Sequence, residues 1–407
     1  VDHRSHSARF LVGIALPAAL AAAPVRAEYH EEVLHSFTQN TGIQPVDGMV
    51  VGPNGILYGS AGGGAPAYEG PEGVVYQLQA PAVGKAHWTY SKIFIAGPAG
   101  VPVLNTTPTL AGLYLTFPTG DGYGSIYQLV PSVGYKEIFT EAGGNASNLN
   151  PVSLGVDGVL YGTFQRGGFC IVNGIGYHSC PLFYSLTPPE SEGGNWMYTT
   201  LYQFPPDGTS GSVPPGRLVA DGAALYGVAA YQSGEVVRMN PPNHNHSAWT
   251  ETVIYRHDGD ANHDTVLNPI LNLGPDGALS LTASTATAGQ YGQVLRLTPP
   301  AKGESWDKTV VYGKAGFVPN SGVAFDAAGA IYGSENSAAG PVYRLKPYIA
   351  AGGGTRWSLK ALYSFKGAPD GSHPNPDLII GNDGNLYGAT NLGGDHDEGI
   401  IYRIDLK

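Results

Sequence analysis

The sequence predicts an all-β protein, a single seven-bladed β-propeller of four-stranded antiparallel blades over residues 28–407. Three observations carry that expectation. First, a Leu-Tyr-Gly run recurs at Leu57-Tyr58-Gly59, Leu160-Tyr161-Gly162, Leu225-Tyr226-Gly227, Ile331-Tyr332-Gly333 and Leu386-Tyr387-Gly388, with worn copies at Leu113-Tyr114-Leu115 and Leu279-Ser280-Leu281. Successive copies start 56, 47, 65, 54, 52 and 55 residues apart. A repeat of that length made of four short strands is the signature of a propeller. Second, all five tryptophans hold one register position, since Trp88, Trp196, Trp249, Trp306 and Trp357 each stand five residues before the apolar residue of the next run. Third, the chain stops just after the third strand of its seventh unit, and the missing fourth strand lies at the opposite end.

The last unit shows the elements in order. Its apolar runs are Leu362-Tyr363-Ser364-Phe365, Leu378-Ile379-Ile380, Leu386-Tyr387-Gly388 and Ile400-Ile401-Tyr402, separated by Pro369-Asp370-Gly371, Asn382-Asp383-Gly384 and Gly393-Gly394-Asp395. Short runs rich in Ile, Leu and Tyr, punctuated by Gly, Pro, Asn and Asp, read as strands joined by turns. Other copies carry comparable turns, at Pro53-Asn54-Gly55, Asp157-Gly158 and Pro275-Asp276-Gly277. Such a sheet is apolar on both faces and needs a similar sheet on each side. The tryptophans read as covers for the ends of their own blades, with a sugar-stacking platform as the rival. Val33-Leu34-His35-Ser36-Phe37 matches Leu362-Tyr363-Ser364-Phe365, so residues 33–37 are expected to close the ring as the outer strand of the last blade. Closure removes an exposed sheet edge.

The order Leu-x-Ser-Phe, Asp-Gly, Asn-Pro, Asp-Gly-Asn-Leu-Tyr-Gly-Ala-Thr, Gly-Gly and Ile-Tyr-Arg, seen in full between Leu362 and Arg403, resembles the GloVer repeat, also called the Gloeo/Verruco extracellular repeat. The last unit matches closely. The first, third and sixth match in part, and the second, fourth and fifth diverge. The resemblance implies an exported bacterial propeller and brings no activity with it.

Residues 1–27 read as a secretory signal peptide. Arg4 and Arg9 begin it, Phe10–Ala23 is a short apolar run, and Val25-Arg26-Ala27 supplies a small-residue cleavage site. The expected location is periplasmic or extracellular. A formal net charge of −11 makes nucleic acid or an anionic membrane surface a poor partner. No later apolar run is long enough to cross a bilayer. Export favours a disulfide between the only two cysteines, Cys170 and Cys180. They lie in a Gly-rich insertion, Gln165 to Pro181, that explains the longest repeat step. Closing a loop of about ten residues would stabilise it by about 2–3 kcal/mol.

Candidate site residues fall on the face shared by two sets of connections, outer strand to next inner strand and second strand to third. Ligands of propellers commonly sit there, which is an argument by analogy. Asn150, Asn268, Asn320 and Asn375 stand just before innermost strands, mostly in Asn-Pro pairs, and could line the channel mouth to hold a sugar, a cation or water. The same pattern suits an Asx-type turn. Asp258, Asp260, Asn262 and Asp264, beside His257, place oxygen ligands at alternate positions as in half of a Ca²⁺ loop, but His263 and Pro269 occupy the positions where such a loop needs Gly and Glu. Asp395-His396-Asp397-Glu398 could do acid–base work or form a solvated tip. The insertion offers Arg166, Tyr177 and His178 for recognition.

The leading functional expectation is an exported monomeric scaffold that binds a glycan or a surface protein through the loop-bearing face. The alternatives are a polysaccharide lyase or hydrolase, with a site assembled from several blades, and a calcium-stabilised structural propeller. Nucleophile-elbow, phosphate-loop and zinc-protease motifs are absent from the sequence.

Overall fold

The computed structural model describes residues 29–406, apart from 47, 53–54, 64–72, 83–86, 96–102, 105–111, 118–123, 131–132, 141–146, 173–174, 192, 205–215, 230–233, 258–264, 286–290, 302–304, 321 and 336. Of 147–148, 165–172 and 175–180 it describes the backbone alone. The expected signal segment and the Ca²⁺-loop residues Asp258, Asp260, Asn262 and Asp264 therefore lie outside the described residues. Among the described residues there is no α-helix, and the strands form seven antiparallel sheets. Blades one to six span residues 43–95, 103–140, 147–203, 219–256, 265–315 and 324–364, and blade seven combines 371–404 with Glu31–Ser36. The molecule is the expected seven-bladed propeller.

Ring closure follows the expected route. Glu31–Ser36 pairs antiparallel with Ile400–Ile404, matching Glu31 to Ile404, Val33 to Tyr402 and Ser36 to Ile400. The strand begins two residues earlier than expected. Phe37 follows it, fully buried against Tyr76 of blade one. The ring of His35 lies flat on Tyr90 of the same blade, 3.9 Å between centroids. The closing strand is thus hydrogen-bonded to blade seven and packed on blade one.

The repeat motif has a steric and a polar cause. Its glycine lies opposite a third-strand tyrosine. A Cβ on Gly59, Gly162, Gly333 or Gly388 would fall 2.2 to 2.4 Å from the hydroxyl of Tyr76, Tyr184, Tyr343 or Tyr402. Those four tyrosines are fully buried. The motif tyrosine instead reaches back to the turn before it. Tyr161, Tyr332 and Tyr387 donate to Asp157, Asp326 and Asp383 over 2.9 to 3.0 Å. The other oxygen of each Asp accepts a backbone N–H two residues on, from Val159, Ala328 and Asn385. Each turn then needs a left-handed residue, which glycine supplies at φ of +78° to +79°, directly after Asp157 and Asp383 and three residues after Asp326. In blade five Ser280 replaces the tyrosine, and Asp276 pairs with Arg296 instead.

The tryptophans correct the expectation that each covers its own blade. Trp88, Trp196, Trp249 and Trp306 pack on the motif tyrosine of the preceding blade, namely Tyr387, Tyr114, Tyr161 and Tyr226, with centroids 5.6 to 5.9 Å apart. They are half-buried latches between blades. Tyr29 takes this place on the closing strand. It stands five residues before Leu34 and packs against the core that contains Tyr332.

The insertion in blade three is also more regular than expected. It continues the second and third strands as a hairpin arm, Leu160–Val172 and Ile175–Thr187, with irregular register around Gly168. Cys170 lies opposite Tyr177, and Cys180 opposite Gly168. Their side chains, and those of Arg166, Tyr177 and His178, fall outside the described residues.

Two stability predictions follow from this packing. Burying a tyrosine ring gains roughly 2 kcal/mol, whereas a buried hydroxyl without a partner costs about 1–3 kcal/mol. Among the described residues the Tyr402 hydroxyl has no hydrogen-bond partner. Tyr402→Phe is therefore expected to leave stability unchanged or improved. Gly388→Ala is expected to lose about 1–3 kcal/mol by overpacking, and the double variant to recover part of that loss in urea titrations. The second prediction concerns pH. Glu31 on the closing strand is pushed up to about 7 by burial, with the Asp370 and Glu32 carboxylates adding to the effect. An acid that holds its proton more tightly when folded contributes stability below about 4.5 and loses it as pH rises through 7. Glu31→Gln should match the parent protein at pH 4 and melt higher at pH 8, as read by circular dichroism.

Candidate functional site

The inner strand of a blade must turn its backbone polar groups to the second strand while its side chains approach the axis. In most blades it does so in two pieces. Blade seven uses Gly371–Pro374 and Ile379–Ile380, and blade three uses Ser147–Leu149 and Ser153–Leu154. The Asn-Pro pairs lie in the gap between the pieces. Pro cannot donate to a ladder, so the strand must break there.

The four asparagines are spent on the protein itself. The backbone N–H groups of Asn150, Asn268, Asn320 and Asn375 donate to Thr163, Thr282, Ser334 and Ala389 of their own second strands. The side-chain amides of Asn150, Asn268 and Asn320 donate to the hydroxyls of the same Thr163, Thr282 and Ser334, over 2.7 to 2.8 Å. Asn320 also donates to the Pro374 carbonyl in blade seven, 2.7 Å away, and Asn375 donates to the Pro45 carbonyl in blade one. The hydroxyls of Thr282 and Ser334 complete the belt, donating 3.0 Å to the carbonyls of Asn320 and Asn375. Asn150, Asn320 and Asn375 are buried, and Asn268 is half-buried. From blade five round to blade one, these hydrogen bonds form a belt that joins neighbouring blades.

His257 is likewise buried. Its Nδ1 meets the Tyr255 hydroxyl at 2.9 Å and its Nε2 meets the Thr265 hydroxyl at 2.8 Å. With both nitrogens engaged, the ring ties the outer strand of blade four to the inner strand of blade five. The acidic tip of blade seven forms a tight turn. Asp397 has φ of +59° and accepts the Gly393 N–H at 2.8 Å, while the Asp395 N–H donates 2.8 Å to the Ser36 hydroxyl of the closing strand. Among the described residues, no group of three His, Cys, Asp or Glu side chains is placed to hold a metal ion.

Among the described residues, the loop-bearing face has a cleft at the seam of blades seven and one. It encloses about 330 Å³ and is lined by Thr38, Gln39, Asn40, His396 and Glu398. Its floor is tied together. Thr38 and Thr41 exchange four hydrogen bonds that involve their side chains and one between their backbones, and the Lys92 ammonium donates 2.7 Å to the Asn40 carbonyl. Gln39, Asn40 and His396 are exposed. The sequence pointed to His396 and Glu398. It did not point to Thr38, Gln39 and Asn40, which belong to the other end of the chain and come alongside only when the ring closes.

A second feature sits on the axis. Arg217 of blade four and Asp377 of blade seven meet across the channel, Nη1 to Oδ2, at 3.3 Å. Neither was singled out from sequence. Each occupies a repeat position held in other blades by uncharged residues, which is the signal that alignment of the inner strands would have shown.

No family model matches this sequence, and no curated protein matches it. Solved structures share the fold. A fungal alcohol oxidase of the AA5 family, in complex with copper, aligns over 93% of this chain and 76% of its own, with a TM-score of 0.53 and 12% identity. The β-propeller domain of Cps50 (Swd1) from Myceliophteria thermophila aligns over 92% and 99%, with a TM-score of 0.49 and 10% identity. At 12% identity the likeness to the oxidase shows the fold alone.

The hydrogen-bond belt yields a prediction. Asn320→Ala would strip two buried acceptors of their donor and should cost about 2–3 kcal/mol in chemical denaturation. Gln39→Ala, at an exposed position, should change stability by no more than about 0.5 kcal/mol.

Proposed function

We propose that this chain is an exported binding scaffold, kin to the GloVer repeat proteins, that holds a glycan on its loop-bearing face at the seam of blades seven and one. The observation that carries this reading is the composition of the seam cleft. All five lining side chains are able to form hydrogen bonds, and none is aliphatic. Such a lining suits a polyhydroxylated ligand, whose many donors and acceptors each need a partner when water leaves. An apolar ligand would gain little there. The rigid turn beneath the cleft supports binding without an ordering cost.

Binding is favoured over catalysis by the fate of His257. A general acid or base must reach its substrate, and this histidine is buried with both nitrogens occupied. Among the described residues, no helix is long and apolar enough to cross a membrane.

The reading is tested by incubating the protein with an immobilised polysaccharide panel and measuring retention and soluble products separately. Retention without products is expected. Gln39→Ala and His396→Ala should each weaken retention about tenfold while the protein keeps its melting temperature. Products that vanish in His396→Ala would make the protein an enzyme, and failure of every polysaccharide to be retained would sink the glycan reading.

A further inference from the structure

The inner strands share one equivalent position per blade, two before the residue that pairs with the second-strand motif. By that register the equivalent residues are Gly48, Pro151, Arg217, Ile270, Gly322 and Asp377 in blades one and three to seven. The counterpart in blade two lies outside the described residues. Two of the six positions are charged, and they come from opposite sides of the ring.

The neighbours of Asp377 have given up their side chains to it. A Cβ on Gly48 would fall 2.1 Å from the Asp377 Cβ, and one on Gly322 would fall 2.1 Å from its Oδ1. Asp377 therefore fills space that blades one and six leave empty, and its carboxylate is held toward Arg217. Arg217 is less enclosed, with 18% of its side chain exposed. It forms part of the wall of a cavity of about 460 Å³ on the face opposite the glycan cleft. Most of the remaining wall is apolar, including Leu154, Val156, Leu218, Leu271 and Leu273.

A guanidinium carries five N–H donors in a planar fork. One long contact to Asp377 uses only one edge of it. No other hydrogen bond to Arg217 occurs among the described residues. Donors left over at the wall of an apolar cavity match a carboxylate, which can accept two parallel hydrogen bonds from one Arg. The charge balance selects among anions. Asp377 already neutralises much of Arg217, and the whole chain is acidic, so a dianion such as phosphate meets net repulsion. The greasy wall selects further, because it favours a ligand with an apolar body over an inorganic ion. The volume is within the range of small-molecule sites.

We propose that this axial cavity is a binding site for a small organic monocarboxylate. The carboxylate sits on Arg217 in competition with Asp377, and an apolar body lies against Leu154, Leu218 and Leu271. The site is independent of the glycan cleft, since it opens on the other face and shares no residue with it.

The test uses benzoate and hexanoate as probes, each against its neutral amide, with calorimetry near neutral pH on the parent protein and two variants. Both carboxylates are expected to bind and both amides to bind at least tenfold more weakly. Asp377→Asn removes the competing carboxylate and should tighten carboxylate binding severalfold. Arg217→Gln should weaken it at least tenfold. The proposal fails if acid and amide bind alike, if neither probe binds, or if Asp377→Asn leaves affinity unchanged. Should Arg217→Gln not fold, the amide comparison and Asp377→Asn still decide.

Discussion

The ring depends on one recurring contact, the second-strand tyrosine shared between two blades. In the clearest case, Tyr387 gives its hydroxyl to Asp383 of its own turn and its ring face to Trp88 of blade one. The hydrogen bond fixes where the ring points. The tryptophan then covers a surface that blade seven cannot cover alone. Tyr114, Tyr161 and Tyr226 repeat the contact with the next tryptophan along, so at these four seams a blade finishes the burial of the one before. A linear stack would leave its first and last blades unfinished. Closing the circle removes that deficit, and pairing Glu31–Ser36 with Ile400–Ile404 joins the two termini in the act.

Features that repeat were legible in the sequence, because repetition averages over local noise. The seven motif copies located the second strands. The match between Leu34-His35-Ser36-Phe37 and Leu362-Tyr363-Ser364-Phe365 identified the closing strand. What repetition could not convey was the partner across a blade boundary. The tryptophan position was visible, but whether it faced its own sheet or its neighbour depends on the angle between sheets. Tyr29 occupies the same register position, but a tyrosine among 25 does not stand out as five tryptophans do. The asparagines were legible as a set and misplaced by half a strand. Their Asn-Pro pairing suggested a strand start, whereas the chain breaks its inner strand in the middle and repairs the gap with side-chain amides. The Gly-rich arm of blade three shows a further limit. Its length was plain, but pairing of one half with the other overrides the poor strand propensity of glycine.

Function is sought where the seven copies differ, since equivalent residues in seven places can support a ring but cannot mark one spot on it. The seam cleft and the axial cavity both arise at breaks in the repeat. The seam cleft lies where blade seven meets blade one, so its lining combines the turn after the closing strand with the tip of the last hairpin. Neither half has a counterpart at another seam with the same residues. The axial cavity lies where blade four departs from its fellows by carrying an arginine.

The axial ion pair sharpens that argument. Removing two charges from water costs several kcal/mol per ion before their attraction is counted, and such pairs are often no more stabilising than apolar residues of the same volume. This chain already shows the cheaper solutions at the same position, with Gly48, Gly322, Pro151 and Ile270 meeting the axis without charge. The ring therefore does not need Arg217 and Asp377 in order to close. Their geometry is also poor for stability alone, with a single 3.3 Å contact from a group able to make five. A pair optimised to hold the channel shut would be bidentate and fully enclosed. One that leaves donors at the wall of a cavity is built to exchange its partner, and an arginine held in place by a weak internal carboxylate is already oriented for a stronger external one.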